Sequence, residues 1–248
     1  MVRSSKFLTL LLTTIAGIEV LSSAVKPASV SAQTAAAGDP PPICRGSLPT
    51  GQVKCNYQGS RAGANYIGSF VNGRPEGKGV YVYGNGDRYE GQFRNGLPNG
   101  QGVFIFKNDA RVVGVFKDGN ISQGTVIFPD GNRYVGQFEI VVELGSGSRS
   151  SQPSGDGEFI YTNGDRFKGS FFAGGPLGSG VFTRSNGARC QGQFFNQALD
   201  GRGNCTFPNG FRYEGEFRGG VPHGQGVIID TSGKRFPGTF RDGKRVNS

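Results

Sequence analysis

One spacing governs this sequence. From Tyr89 to Arg111 the chain reads YEGQFRNGLPNGQGVFIFKNDAR, and from Tyr213 to Arg235 it reads YEGEFRGGVPHGQGVIIDTSGKR. The motif recurs about every 23 residues. Counted from its first residue as position 0, an aromatic stands at 0, glycine at 2, phenylalanine at 4 and glycines at 7, 11 and 13. Aromatics follow at 15 and 17, a turn pair near 19 and 20, and arginine at 22. A fixed period of this length specifies a stacked array, in which each copy buries its apolar face against the next. Seven copies begin at Tyr66, Tyr89, Val112, Tyr134, Phe167, Cys190 and Tyr213. The third is one residue short. The fourth carries an insertion within EIVVELGSGSRSSQPSGD, Glu139 to Asp156.

Each copy predicts two short strands, one over positions 0 to 5 and one over 13 to 17. Side chains two apart share a face, so the aromatics of one hairpin gather on one side. The asparagine-glycine and aspartate-glycine pairs between copies (Asn85-Gly86, Asp130-Gly131, Asn163-Gly164, Asn186-Gly187, Asn209-Gly210) predict two-residue turns with both central residues at positive φ. Gly96 and Gly100 are assigned to a longer loop inside the copy. Position 4 is a phenylalanine column: Phe70, Phe93, Phe116, Phe138, Phe171, Phe194, Phe217 and Phe240. Burying each ring stabilises by about 1.5–3 kcal/mol, less what stays exposed in a one-layer sheet. Gly91 and Gly102 lie on that face and are expected to leave room for rings from the adjacent strand. Gly91→Val is therefore expected to cost more than Gln92→Val.

The flanks differ in character. Residues 1–32 read as an export signal, with Arg3 and Lys6 before the apolar run Phe7 to Ile18. That run is shorter than the roughly 20 residues a bilayer span needs. Small residues permit cleavage after Ala24 or after Ala32, and the sequence does not choose between them. Residues 33–43, QTAAAGDPPPI, read as a mobile linker. Residues 44–65 read as a capping half-copy, and residues 236–248 as a closing half-copy with a basic tail. Without residues 1–32 the net charge is +7, which favours anionic partners. Export makes nucleic acid the wrong one. Membrane headgroups, acidic polysaccharide or an acidic protein fit. The four cysteines, Cys44, Cys55, Cys190 and Cys205, are even in number in an exported chain, and spacing favours Cys44–Cys55 and Cys190–Cys205 disulfides. They lack the close spacing of a zinc site. Cys190 and Cys205 replace two rings of one hairpin, so a cross-strand bond would replace lost packing; two buried thiols are the alternative.

The pattern YxGxFxxGxxxGxGxxxxxxxG over residues 66–240 resembles the MORN repeat (membrane occupation and recognition nexus). Val112 and Cys190 depart from it at position 0, Gln197 at a loop glycine and Asp109 at a turn glycine. The resemblance implies an all-β fold, an elongated single-layer antiparallel sheet of successive hairpins. Two strands per copy and a half-copy at each end make about 16 strands, with the signal segment as the one candidate helix. The resemblance further implies protein assembly or contact with acidic phospholipid, and repeats that are not themselves catalytic.

Two surfaces then qualify as sites. Position 22 is an arginine column, Arg88, Arg111, Arg133, Arg166, Arg189, Arg212 and Arg235, on the face opposite the rings. Only Glu90 and Glu214 stand as same-face acidic partners. The plain reading has arginine stems covering β-branched residues at position 16; the sharper one is a phosphate- or carboxylate-binding stripe. The aromatic face is read as partly buried, with a residual groove for a peptide or sugar. His223 is assigned to a loop with no nucleophile beside it. Glu76, Glu90 and Glu214 occupy repeat or loop positions, and Gly145-Ser146-Gly147 lacks a phosphate-loop ending. The reading is a non-catalytic exported scaffold, secreted or in the cell envelope (the periplasm in a bacterium), without cofactor or metal. Its partner is an envelope protein held by the groove. Acidic headgroups or polysaccharide on the arginine column are the alternative, and open sheet ends offer end-to-end homodimerisation.

Overall fold

The computed structural model describes residues 39–46, 50–142, 149–195 and 197–246. The signal-segment assignment, residues 33–38 of the linker and Gly145 to Gly147 lie outside them. The described residues are all-β, with eighteen strands and a single 3-10 turn, Gly59–Arg61. They fall into two compact bodies, one up to Gly155 and one from Asp156. In the first, β1 (Ile43–Gly46), β2 (Gly51–Asn56), β3 (Asn65–Val71), β4 (Arg74–Val82), β5 (Arg88–Arg94), β6 (Leu97–Ile105), β7 (Arg111–Lys117), β8 (Asn120–Ile127) and β9 (Arg133–Val142) form an antiparallel meander. After β10 (Arg149–Ile160), the second body repeats that order from β11 (Arg166–Phe172) through β12 (Gly175–Thr183), β13 (Arg189–Phe195), β14 (Ala198–Thr206), β15 (Arg212–Arg218) and β16 (Val221–Ile229). It closes with β17 (Arg235–Arg241) and β18 (Lys244–Val246). The count exceeds sixteen because each terminal half-copy is a hairpin, β1–β2 and β17–β18. The insertion lengthens strands: β9 has 10 residues and β10 has 12.

The turn assignment is corrected. Two consecutive positive φ values occur inside the copies, at Asn72-Gly73 (48° and 78°), Asn95-Gly96 (50° and 85°) and Asp118-Gly119 (48° and 84°). Between copies one residue of the turn is left-handed, a glycine as at Gly86 (φ 95°) or, where that glycine is replaced, Asp109 (φ 67°), with Gly86 N–H donating to Tyr83 O at 2.9 Å and Tyr83 N–H to Asp87 O at 2.8 Å. Both sites carry an asparagine-glycine pair, and the dipeptide alone does not separate the tight turn from the longer one. The second strand accordingly begins at position 8, and Gly100 lies within β6 at a bulge. Gly91 pairs with Gly102 and Phe93 with Pro98, so one residue, Gln92, faces three. Gln92 Oε1 accepts the Gln101 N–H at 3.1 Å across that gap.

The bulge explains the motif. Tyr89 lies flat across Gly91 and Gly102: a Cβ at Gly102 would sit 2.5 Å from Tyr89 Cζ and 2.6 Å from Cε2. The ring over Gly91 thus comes from its own strand, and only for Gly102 from the neighbour. The Tyr89 hydroxyl donates to Gln92 O at 3.0 Å, a carbonyl the bulge takes out of the ladder. Tyr66, Tyr134 and Tyr213 make the same bond to Ser69, Gln137 and Glu216. Edge-on ring pairs carry the packing onward. Tyr89 meets Phe93 at 5.1 Å and Phe116 of the next copy at 5.0 Å, and Tyr66–Phe93, Phe167–Phe194 and Tyr213–Phe240 repeat the step. Each such pair adds about 0.5–1.5 kcal/mol beyond area burial.

Copies without the ring are compensated at position 9. That position is proline in Pro75, Pro98, Pro176 and Pro222, but Ile121 where Val112 stands at 0 and Leu199 where Cys190 does. A Cβ at Gly114 would meet Ile121 Cδ1 at 2.9 Å, and one at Gly192 would meet Leu199 Cδ1 at 2.6 Å. The branched side chain thus covers the glycine pair from the other strand. The Ser122 hydroxyl also donates to Val115 O at 3.0 Å, the carbonyl that tyrosine serves elsewhere. Position 9 ties the inner turns together as well. Pro75 O accepts the Gly96 N–H, Pro98 O that of Gly119, Leu199 O that of Gly220 and Pro222 O that of Gly243, each at 2.9 Å.

Candidate interaction surfaces

The ring face is closed over most of its length. All eight position-4 phenylalanines are buried, and so are Tyr66, Tyr89, Tyr134, Phe167 and Tyr213 at position 0. The two cysteine pairs lie on the same face. Cys44 is directly opposite Cys55 and Cys190 opposite Cys205, both at disulfide distance (S–S 1.99 and 2.05 Å).

An opening survives in the first body. A groove of about 400 Å³ is walled by Pro42, Tyr57 and Arg61 on one side and by Asn95, Gly96, Leu97 and Pro98 on the other. Tyr81, Tyr83, Phe93, Pro75 and Arg74 complete it. Its cap side is held by the stretch read as a mobile linker. Asp39 accepts the Ser60 N–H at 2.8 Å and the Ser60 hydroxyl, and lies 3.8 Å from Arg61 Nε. The Arg61 guanidinium stacks 4.4 Å above the Tyr57 ring. Burial pushes the Tyr57 hydroxyl up to about 12 and raises those of Tyr81 and Tyr83, so all three stay protonated donors. The Tyr81 hydroxyl is buried without a hydrogen-bond partner.

The arginine column occupies the opposite face, and all seven members are exposed. Each stands opposite β-branched residues: Arg88 between Val82 and Ile105, Arg111 between Ile105 and Ile127, Arg189 between Thr183 and Thr206, Arg212 between Thr206 and Ile229. The acidic partners differ from those expected. Arg88 pairs with Glu90 at 2.7 Å, but Glu214 of β15 pairs with Arg235 of β17, two strands on, at 2.9 Å, and Glu158, not singled out in the sequence, lies 3.6 Å from Arg166. Glu158 was legible only through pairing of β10 with its neighbour. Arg111, Arg133, Arg189 and Arg212 have no ion pair among the described residues.

His223 lies in strand β16, which corrects its assignment to a loop; its Nδ1 is 3.6 Å from Asp242 Oδ1. Glu76 accepts the Asn95 N–H at 2.9 Å. With Glu90 and Glu214 in ion pairs, the three carboxylates serve local structure. Asp230 replaces a ring at position 17 and instead closes its own turn, accepting from Ser232 N–H and Lys234 N–H, each at 2.9 Å. Those bonds hold its carboxyl below the usual range, the Ser232 hydroxyl foremost. On the arginine face Phe172 and Phe195 are 61 % and 57 % exposed.

No curated protein sequence matches the chain significantly. Among solved structures it is similar to the SAS-4 (dCPAP) TCP domain from Drosophila melanogaster, solved with a proline-rich motif of Ana2, at 10 % identity and TM-score 0.33, covering 84 % of this chain and 96 % of that one. It is likewise similar to the G-box domain of the microcephaly protein CPAP, at 13 % identity and TM-score 0.34, covering 81 % and 99 %. Similarity at that level carries nothing over to this chain. The model of the MORN repeat matches residues 66–88, 89–111, 167–189, 190–212 and 213–235. Each match coincides with one copy as counted from the aromatic, and the shortened and interrupted copies at Val112 and Tyr134 fall outside. The hairpin that this sequence reiterates over residues 66–111 and 167–235 is therefore the MORN repeat.

Proposed function

We propose that this chain is a non-catalytic, exported scaffold that holds a protein partner in the cell envelope through its ring face. The observation that carries the reading is the groove between Tyr57 and Leu97. It stays open on a face where most of the described rings, Tyr89 and Phe93 among them, are buried. Concave, mostly apolar surfaces with a few polar groups are where ligands bind. The directly opposed cysteine pairs support an oxidising compartment. The test is cross-linked capture from the organism's own envelope fraction by the full chain and by Leu97→Asp. Capture that persists at high salt and is lost in the variant is expected. Equal capture by both proteins refutes the groove as the site.

A second reading has its own observation. Arg111 and Arg133 in the first body, and Arg189 and Arg212 in the second, are exposed without acidic partners among the described residues, and each pair suits phosphate or carboxylate groups. Binding to acidic vesicles should fall with salt and with Arg111→Gln, Arg189→Gln and Arg212→Gln together. Unchanged, salt-insensitive binding by the triple variant removes it. End-to-end homodimerisation belongs to the same proposal, since among the described residues β18 pairs with β17 alone; light scattering of the purified chain decides it.

A further inference from the structure

The groove's chemistry is narrower than "a protein partner". Its walls carry three tyrosines, a phenylalanine, a leucine and three prolines. Flat aromatic and proline faces of this kind suit the polyproline II helix. That helix is preformed, loses little entropy on docking and leaves its backbone carbonyls free to accept. The groove holds donors to match. Among the described residues the Tyr81 hydroxyl, on a side chain 7 % exposed, has no hydrogen-bond partner, and the Arg74 guanidinium is exposed. Its charge has one sign. Arg61 and Arg74 are the charged lining residues, no carboxylate lines it, and Arg74 is exposed with no ion pair among the described residues.

The chain supplies a template for the ligand. Residues 39–42 read Asp-Pro-Pro-Pro. Each proline fixes φ near −65° and pushes its predecessor into the extended region. The Asp39 carboxylate docks on Ser60 and lies beside Arg61, and the prolines run from there to Pro42 in the groove wall. One arginine is thus already matched to an acid that precedes prolines, and the other, Arg74, is not.

We infer that this groove takes an extended, proline-bearing peptide of a partner protein whose acidic residue pairs with Arg74. The inference rests on the scaffold reading and specifies the ligand of the same site.

The test uses the full chain and fluorescent peptides of three Asp-Pro-Pro-Pro blocks, compared with peptides carrying Lys for Asp or Ala for Pro. Anisotropy titrations should show the parent peptide binding at least tenfold more tightly than either substituted one. Arg74→Glu should weaken the parent at least tenfold at an unchanged melting temperature, because Arg74 is exposed and supports no neighbour. An alanine peptide that binds as well as the parent overturns the proline requirement and with it the inference. So does an Arg74→Glu protein that binds undiminished, or a groove filled by a second copy of this chain, seen as a dimer that Leu97→Asp dissociates. If no peptide binds while envelope capture still depends on Leu97, the inference fails and the scaffold reading stands. If capture fails as well, both fall.

Discussion

The fit of Tyr89 over its glycine pair predicts that Gly102→Ala is severe although it adds one methyl group to an extended strand. The new carbon would lie 2.5 Å from Tyr89 Cζ. That ring has no room to retreat, being 0 % exposed and wedged between Phe93 and Phe116. Overpacking costs about 1–3 kcal/mol. Displacing the ring also loosens its hydroxyl from Gln92 O, for about 1 kcal/mol more. Alanine's stiffer unfolded chain returns about 0.5 kcal/mol. The expected net loss is about 1.5–3.5 kcal/mol, against about 0.5 kcal/mol or less for the exposed neighbour Gln101→Ala. Urea unfolding followed by circular dichroism measures both. A double-mutant cycle isolates the cause. With Tyr89→Leu the obstacle is gone, so Gly102→Ala on that background should cost at least about 1.5 kcal/mol less than on the native one. Additive losses, or a Gly102→Ala protein as stable as Gln101→Ala, would refute the reasoning.

Three further outcomes follow from the same contacts. Leu199→Pro restores the usual residue at position 9 yet should cost about 2–4 kcal/mol, because it uncovers Gly192 and Gly203 in the copy that lacks a ring; a harmless change would sink the compensation. Reducing the Cys190–Cys205 bond should lower stability by about 3 kcal/mol for a closed loop of this length; thiol labelling of protein from its own compartment should find no free cysteine, and two free thiols would contradict export to an oxidising one. Burial pushes the Tyr89 hydroxyl up to about 12 and raises those of Tyr66 and Tyr213. The unfolded chain releases these protons near 10 and the folded chain holds them, so stability is intact below about pH 10 and declines as pH rises from there towards the folded values. Tyrosinate absorbance appearing near pH 10 in a protein whose urea midpoint is unmoved would contradict this.

The array was legible because period and parity are properties of the sequence itself. Equal spacing put Phe93 and Phe116 in one column, and the offsets of Cys190 and Cys205 placed them opposite each other. What escaped depended on pairing across strands. Glu214 stands two residues after Arg212, yet its carboxylate reaches Arg235, a partner that only the ladder brings near. Asn85-Gly86 and Asn95-Gly96 look alike as dipeptides, and the bulge opposite Gln92 decides which of them makes the tight turn. The exchange of proline for Ile121 and Leu199 was in plain view, and its meaning required knowing that the tyrosine ring crosses to the other strand. The groove was foreseen only as residual aromatic surface. That it narrows to Tyr57, Tyr81 and Tyr83 depends on Asp39 anchoring the segment before β1, which no periodicity reports.

The carbonyl at position 9 accepts and the glycine N–H of the next inner turn donates, so each such carbonyl needs a turn downstream of it. Gly243 supplies that donor for Pro222, which gives the basic segment after Phe240 a bonding role. Growth or loss by whole copies upstream of Gly243 leaves each of these bonds between turns with a mate. A cut just after Phe240 does not: it strands one acceptor, and fraying of the last complete hairpin should begin there.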